Sequence, residues 1–256
     1  MKFHIKNIHP FNLEIIAEGG QAFRWNRKDS KTYIGVISNY VVEATQEEDQ
    51  LTIESNIGMD GLDFILDYFD IKRNYKDIER EMIKHEELQP VVKYCSGYRI
   101  LHQDPWETTV SFIISANNSI TNIKRIIENI CKNYGKPITY KSKTYYSFPT
   151  PDILASLSEE ELKQTKCGYR ARYIIDTAKI VSEGKTQLNS LYSLPTEEIR
   201  KELLKLPGVG NKVADCIILY SFGKFDAFPV DTWIKRVMEQ MYFHGKETPI
   251  NQIQQL

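Results

Sequence analysis

Short runs of alternating apolar and polar residues fill the first 55 positions of the chain. β-branched and aromatic side chains recur in these runs, and glycine-rich or polar turns separate them, which is the pattern of strands joined by tight turns. The pattern therefore predicts an antiparallel, twisted β-sheet. Its predicted strands are residues 12–16, 22–25, 33–37, 41–44 and 51–54.

From residue 60 onward the apolar positions recur every three or four residues, as on one face of a helix. Pro105 is well placed at a helix start, and Ser158 with Glu161 forms a capping-box pattern. We therefore predict an α+β fold, with a sheet-rich part that carries short helices, residues 1–104, and an all-α part, residues 105–256. Helices are predicted at residues 62–69, 79–85, 89–95, 119–133 and 169–183.

Composition narrows the class of protein only a little. The chain has 256 residues, a net charge of −1 and four cysteines, without a Cys-x-x-Cys pair. Widely spaced cysteines argue against an iron–sulfur cluster or a structural zinc, so we expect reduced thiols and no cofactor. No apolar run approaches the roughly 20 residues needed to span a bilayer, and the N-terminus lacks the pattern of a secretory signal. We therefore expect no membrane partner.

One stretch of this nearly neutral chain is basic. Between residues 163 and 179, five lysines and arginines stand against one aspartate, a local balance of 5 − 1 = +4. A neutral protein with one basic face can bind a polyanion there. A solvated helix face is the plain alternative.

The segment Leu-Pro-Gly-Val-Gly joins two predicted helices, residues 196–205 and Asn211–Phe222. Pro207, Gly208 and Gly210 force a tight turn. The two glycines leave the backbone bare, so its N–H groups can approach an anion, and the start of the second helix favours negative charge. The unit predicts a phosphate-binding hairpin, with an ordinary helix–helix connection as the alternative.

Lys212 and Asp231 are the strongest candidates for chemistry. Lys212 lies in the first turn of the second helix, where a cation is poorly placed, and this favours the neutral amine, which is a nucleophile. Asp231 follows Pro229 and begins the next helix, so a helix end fixes its carboxylate. Such a carboxylate can face the positive charge that builds on a sugar as an N-glycosidic bond breaks. The alternatives are an exposed lysine and a simple helix cap.

Residues 206–216, Leu-Pro-Gly-Val-Gly-Asn-Lys-Val-Ala-Asp-Cys, with Pro-Val-Asp at 229–231, resemble the helix-hairpin-helix DNA glycosylases, and the 8-oxoguanine DNA glycosylases in particular. In that family a lysine displaces the damaged base and forms a Schiff base, which permits β-elimination of the 3′ phosphate. Lys212 and Asp231 fall on the two catalytic positions. The resemblance implies a bifunctional N-glycosylase and AP lyase that excises 8-oxoguanine from duplex DNA.

The resemblance also implies how the hairpin would contact DNA. Gly208, Val209 and Gly210 would bind a phosphate, and such contacts set register rather than specificity. A monovalent cation would sit on the carbonyls of Leu204, Leu206 and Val209.

Further stretches imply contacts with the lesion and with the space it leaves. Gly20, in Gly-Gln-Ala-Phe-Arg-Trp, would offer its carbonyl to the N–H that oxidation adds to guanine, and Cys216 and Pro229 would also contact the lesion. Taken alone, Gly20 is a β-turn glycine and Cys216 a small buried residue.

Two stretches resemble the parts of the family that fill the gap in the duplex. Asn117, in Ser-Ala-Asn-Asn, would replace the flipped base and bond the unpaired cytosine. In Gly-Tyr-Arg-Ala-Arg-Tyr, Tyr169 would wedge into the stack and Arg170 would reach the same cytosine. Flipping a base costs a few kcal/mol, so such plugs have a physical purpose. An ordinary helix C-cap is the alternative for Asn117.

The chain departs from the family pattern at three places. Asn122 stands where relatives carry a second arginine for the opposite cytosine, so cytosine preference is expected to be relaxed. Trp233 stands where relatives carry a histidine. Residues 249–252 resemble the beginning of a helix that continues in relatives beyond Leu256, so this helix is expected to be truncated here and lesion specificity to rest on Gly20 and Cys216.

Damaged duplex DNA is thus the expected partner of a monomer that works wherever the cell keeps its DNA, in the cytoplasmic nucleoid or the nucleus. Two rival functions stay open at this stage. One is a glycosylase for another lesion, such as an alkylated base. The other is a non-catalytic helix-hairpin-helix module, which would need neither Lys212 nor Asp231.

Overall fold

The computed structural model describes residues 1–255. The strands are β1 (Lys2–Ile5), β2 (Asn26–Arg27), β3 (Thr32–Ile37), β4 (Tyr40–Glu47), β5 (Gln50–Ser55), β6 (Pro137–Tyr140) and β7 (Lys143–Tyr146). The α-helices are α1 (Leu13–Glu18), α2 (Leu62–Tyr68), α3 (Tyr75–Met82), α4 (Gln89–Cys95), α5 (Pro105–Ser115), α6 (Ile120–Tyr134), α7 (Pro151–Ala155), α8 (Glu159–Lys163), α9 (Arg170–Ser182), α10 (Thr196–Leu203), α11 (Asn211–Phe222), α12 (Thr232–Tyr242) and α13 (Ile250–Ile253). Short 3-10 helices lie at Met59–Gly61, Glu86–Leu88 and Leu188–Ser193.

The N-terminal part is built on a five-stranded antiparallel sheet in the order β1-β5-β4-β3-β2. The predicted strands at 33–37, 41–44 and 51–54 are its centre. Ala44 pairs with Ile53, and both side chains are fully buried together with Val42 and Leu51. Because side chains alternate between the two faces of a strand, this pairing puts the apolar set on the covered face.

Two of the predicted strands are wrong. Residues 13–16 belong to helix α1, and Asn12 is its N-cap, whose side chain accepts the N–H of Ile15 at 3.2 Å. Residues 22–25 lie in an irregular segment, in which Phe23 and Trp25 are nonetheless buried. The alternation there reflects side chains that enter two different cores, since Phe23 packs in the helical part and Trp25 under the sheet.

The C-terminal part is arranged around α5. Nine of the eleven residues of this helix are buried, and α6, α9 and α11 pack around it. Asp104 caps α5 by accepting the N–H of Glu107 at 2.8 Å, and the predicted capping box of Ser158 and Glu161 is present. No helix among residues 1–255 is long and apolar enough to cross a membrane.

One element breaks the all-α pattern predicted after residue 104. Strands β6 and β7 form a hairpin whose turn, Lys141 and Ser142, has positive φ angles of 45° and 61°. Lys141 donates to Glu43 at 3.1 Å and to Glu54 at 2.6 Å, which fastens the hairpin to the N-terminal sheet. The two parts of the chain are therefore also joined away from the residue 104 connection.

Candidate active site

The predicted hairpin between α10 and α11 is formed and held rigidly. Gly208 has a φ of +83°, and a Cβ there would lie 2.9 Å from the Cβ of Tyr173 and 3.2 Å from a methyl of Ile113. Glycine is thus required both for backbone conformation and for close packing. The Thr177 hydroxyl donates to the Pro207 carbonyl at 2.9 Å, which ties the turn to α9.

The carbonyls predicted to hold a monovalent cation lie on the same turn. The Leu206 carbonyl accepts the N–H of Val209 at 3.1 Å, which leaves its second lone pair. Within the described part of the chain, no hydrogen bond reaches the carbonyl of Leu204 or Val209. Backbone carbonyls can coordinate an ion such as K⁺, so this donor set fits a monovalent cation.

Gly210 is the N-cap of α11, where helical N–H groups stand without intrahelical partners. In residues 1–255, no heavy atom beyond its chain neighbours lies within 4 Å of a Cβ built on Gly210. The approach to the helix start is therefore open, as phosphate binding by Gly208, Val209 and Gly210 would require.

Lys212, in the first turn of α11, is held over an aromatic ring. Its Nζ atom lies 5.2 Å from the ring centre of Phe112 on α5, within the range of a cation–π contact. Phe112 in turn stacks on Tyr220, with ring centres 5.6 Å apart and planes at 16°. This aromatic floor limits where the amine can go.

Asp231 is the N-cap of α12, as the sequence predicted. One of its carboxylate oxygens accepts the N–H groups of Trp233 at 2.9 Å and Ile234 at 2.8 Å. The helix start thereby fixes the position of the carboxylate.

Lys212 and Asp231 line one cleft of about 610 Å³ between the N-terminal segment, α5, α6, α11 and α12. The predicted lesion contacts Gly20, Cys216 and Pro229 line the same cleft. Its remaining lining residues are Gly19, Phe23, Phe112, Ser115, Asn118, Ser119, Ile120, Ile123, Leu219, Tyr220, Phe228, Trp233 and Ile234.

Cys216 lies one turn after Lys212 and is buried. Burial raises the pKa of its thiol to about 11, while the charge of Lys212 acts in the opposite direction. The thiol is therefore neutral near pH 7, and Cys216 offers the cleft a soft dipole rather than a charge.

Gly20 sits at the cleft wall in a conformation that favours glycine, with a φ of +80°. The next residue, Gln21, holds this wall in place from a fully buried position. Its amide donates to the Arg99 carbonyl at 2.8 Å and accepts the N–H of Leu101 at 2.9 Å. Gln103 donates to the Gln21 carbonyl at 2.8 Å.

The predicted plug and wedge residues lie together, in the loop after α5 and at the start of α9, rather than in the cleft lining. The buried Arg170 donates to the carbonyl of Asn117 at 3.2 Å and also to that of Ala116. Asn117 is exposed, with a φ of 49°, and the Tyr169 side chain is 59% exposed. The exposed side chains of Asn117 and Tyr169 thus project from two adjoining segments that the buried guanidinium of Arg170 holds together.

Three residues that support the site were not singled out as functional from the sequence. Gln21 anchors the Gly20 wall and Phe112 lies under Lys212. Asp215, fully buried on α11, forms an ion pair with Arg200 and accepts from Gln254 at 3.1 Å. Gln21 and Asp215 had a usable signal, since they stand within the Gly20–Trp25 and Leu206–Cys216 signatures, whereas Phe112 had none.

Comparisons with known proteins agree with this geometry. Residues 4–109 match the N-terminal domain of the 8-oxoguanine DNA glycosylases, and residues 110–256 match the HhH-GPD superfamily of base excision DNA repair proteins. The chain is 31% identical to an N-glycosylase/DNA lyase of Saccharomyces cerevisiae over 90% of its own length and 68% of the relative's. It is 34% identical to a probable N-glycosylase/DNA lyase of Methanothermobacter thermautotrophicus over 68% of its own length and 62% of the relative's.

Two solved structures share the whole fold. MBOgg1 in complex with a low-affinity DNA ligand is 44% identical, with a TM-score of 0.94, over 98% of this chain and 86% of that one. The Clostridium acetobutylicum 8-oxoguanine glycosylase/lyase, bound to duplex DNA with cytosine opposite 8-oxoguanine, is 39% identical, with a TM-score of 0.95, over 99% of this chain and 87% of that one.

The chain therefore belongs to the HhH-GPD superfamily of base excision DNA repair proteins. Its N-terminal domain and the relatives described above place it, within that superfamily, among the 8-oxoguanine DNA glycosylase/lyases.

Proposed function

We propose that Lys212 and Asp231 carry out the reaction of this enzyme, a bifunctional N-glycosylase and DNA lyase that removes 8-oxoguanine from duplex DNA. The observation that carries the proposal is that both residues line one cleft, together with Gly20, Cys216 and Pro229. Lys212 stands at the start of α11 over an aromatic ring, and Asp231 is fixed by the start of α12.

In the proposed first step, the neutral amine of Lys212 attacks C1′ of the flipped nucleotide. The bond from C1′ to the base breaks, and the base leaves with the bonding electrons and takes up a proton. Positive charge develops on the sugar, and the Asp231 carboxylate stabilises it. The attached nitrogen then loses a proton, the bond between C1′ and O4′ breaks and O4′ takes up a proton, so the ring-opened sugar is held on Lys212 as a Schiff base. Loss of a C2′ proton from this Schiff base expels the 3′ phosphate.

Asp231 is proposed to act through its charge. Asp231→Asn keeps an acceptor for the N–H groups of Trp233 and Ile234, so α12 should remain capped. We expect turnover on 8-oxoguanine duplex to fall by at least about 100-fold, the scale of losing one transition-state electrostatic contact. Binding of the same duplex should stay within a few-fold of wild type. An Asp231→Asn enzyme with full turnover would remove this role.

Gly20, Cys216 and Pro229 are proposed to contact the flipped base. The Gly20 carbonyl would accept the N–H that distinguishes 8-oxoguanine from guanine, and the neutral Cys216 thiol would pack against the base beside Lys212. Excision measured on duplexes with 8-oxoguanine, guanine or an alkylated adenine checks this assignment. Excision of 8-oxoguanine alone is expected, whereas a preference for the alkylated base would contradict it.

The hairpin, the loop after α5 and the start of α9 are proposed to hold the DNA around that base. Gly208, Val209 and Gly210 would bind a backbone phosphate, next to a monovalent cation on the carbonyls of Leu204, Leu206 and Val209. Outside the cleft, Asn117, Tyr169 and Arg170 would fill and read the gap opposite the flipped base. We expect the enzyme to act wherever the cell keeps its DNA, in the nucleoid or in the nucleus.

A further inference from the structure

Trp233 is the exposed aromatic side chain that the proposed reaction leaves without a task. It lines the cleft mouth, two residues after Asp231, yet 71% of its surface is exposed. The other two tryptophans, Trp25 and Trp106, are 2% and 9% exposed, and each donates its indole N–H to a protein acceptor. The open indole beside the cleft offers a large apolar face and a polar N–H, a combination that is common at binding interfaces.

A cation stands beside this ring. The guanidinium carbon of Arg236, one turn further along α12, lies 5.3 Å from the ring centre of Trp233. Its neighbour Lys235 is paired with Glu239 at 3.4 Å and with Glu247 at 3.6 Å, whereas Arg236 forms no ion pair with any described residue. The charge of Arg236 is therefore available to an external anion.

The position of the pair follows from the backbone. The backbone N–H of Trp233 donates to the Asp231 carboxylate, so the indole is attached to the same turn that carries this proposed catalytic group. Every residue of α12 has at least part of its surface exposed, so the face that carries Trp233 and Arg236 is open to a ligand. An exposed π face beside an unpaired guanidinium matches the chemistry of a nucleotide, whose base stacks and whose phosphate binds a cation.

We propose that Trp233 and Arg236 form a lip that grips the damaged strand at the nucleotide next to the flipped one. The indole stacks on the base of that neighbouring nucleotide, and the guanidinium binds its phosphate. The proposal rests on the proposed function, because only a DNA strand that delivers its sugar to Lys212 and Asp231 brings a neighbouring base to this ring.

Tryptophan fluorescence tests the stacking directly, because Trp233 is the one exposed indole among three. We expect a duplex with a stable abasic-site analogue to quench the emission of the wild type, and the quench to disappear in Trp233→Phe. Trp233→Ala should weaken binding of this duplex by roughly 10-fold or more, the scale of one lost base stack. Tyr94→Ala, which removes a ring that is 79% exposed on α4, is the matched control and should bind like wild type.

The role of Arg236 is tested by measuring how DNA affinity depends on salt concentration. If it neutralises one phosphate, Arg236→Ala should lower the slope of log affinity against log salt by about 1. Arg80→Ala, which removes an exposed arginine on α3, should leave the slope unchanged. An undiminished quench in Trp233→Phe, or wild-type binding by Trp233→Ala, would overturn the lip.

Borohydride trapping of the wild type, measured alongside, separates this proposal from the one on which it rests. Trapping without fluorescence quenching would contradict the lip alone. Quenching without trapping would contradict Lys212 chemistry and leave the lip supported as a DNA contact.

Discussion

Asn122 shows how one side chain can affect recognition of the base opposite the lesion. Its amide is already occupied on both sides, because it donates to Asn118 at 2.7 Å and accepts from Arg125 at 2.6 Å. A shorter and internally bonded amide cannot replace the long bidentate guanidinium that relatives are expected to place here. Asn117 and Arg170 are then the predicted contacts to the opposite cytosine that remain.

We therefore predict a weak preference for the base opposite 8-oxoguanine. Excision measured opposite cytosine, adenine, guanine and thymine should vary by less than in Asn122→Arg. That variant should sharpen the cytosine preference by roughly 10-fold, the worth of one bidentate base contact. Asn133→Arg, on an exposed face of the same helix α6, should leave the preference for the opposite base unchanged. Equal cytosine preference in wild type and Asn122→Arg would count against the assignment.

At the scale of single elements, the hairpin between α10 and α11 depends on a glycine for two separate reasons. Gly208 and Gly184 both have positive φ angles, +83° and +70°. A Cβ at Gly208 would press on Tyr173 at 2.9 Å, whereas a Cβ at Gly184 would meet no heavy atom within 4 Å in the described residues. Comparing substitutions at Gly208 and Gly184 therefore separates the cost of backbone strain from the cost of a steric clash.

Gly208→Ala should accordingly destabilise the protein more than Gly184→Ala. Both variants pay about 1 to 2 kcal/mol for the left-handed conformation. Gly208→Ala adds an overpacking cost of roughly 1 to 3 kcal/mol and displaces the phosphate-binding turn. Urea unfolding should resolve the difference, and only Gly208→Ala should bind DNA more weakly. Equal losses of unfolding free energy would argue against the clash.

Elements with local signals were predicted well. Helices Gln89–Cys95 and Asn211–Phe222 have the expected bounds, because prolines, glycines and amphipathic spacing define them locally. The elements that were not predicted either depend on contacts between distant parts of the chain or begin at a helix cap that was not recognised in the sequence. β1 exists because it pairs with β5, about 50 residues away, and the β6–β7 hairpin depends on contacts with the N-terminal sheet. α1 was missed because Ile15 and Ile16 suggested a strand while Asn12 capped a helix.

Across the whole molecule, a buried ion pair joins the two parts. Arg24, from the N-terminal segment, lies 3.4 Å from Glu107 on α5, whose side chain is 18% exposed. Burial raises the pKa of Glu107 to about 7, although Arg24 opposes this shift. The folded protein therefore binds an extra proton between the ordinary pKa of glutamate, about 4.3, and pH 7.

This group should make the wild type lose stability as the pH rises. Below about pH 4 both the folded and the unfolded state hold the proton, and above pH 7 neither does, so the loss falls between those values. Relative to Glu107→Gln, the unfolding free energy of the wild type should decline by roughly 3 to 4 kcal/mol across this window. Glu160→Gln changes an exposed residue of α8, and its unfolding free energy should show the same pH dependence as that of the wild type. Parallel curves for wild type and Glu107→Gln would contradict the raised pKa.

The whole-molecule arrangement also explains which parts of the site the sequence could provide. Lys212, Gly208 and Gly210 stand in one local motif, and Asp231 follows in a second. The cleft itself needs Gly20 from the N-terminal segment and Phe112 from α5 to meet them, which only the packed fold achieves. Phe112 had the sequence signature of a core residue, so its place beneath the amine could not be predicted.

The most direct measurement for the whole account is borohydride trapping of the enzyme on a duplex that contains 8-oxoguanine. The Schiff base of the proposed mechanism is reduced to a stable cross-link, and peptide mapping should place the adduct on Lys212. Lys212→Gln should form no cross-link, while Lys201→Gln, which changes an exposed lysine on α10, should trap like wild type. A cross-link that persists in Lys212→Gln would contradict the central claim that this amine is the nucleophile.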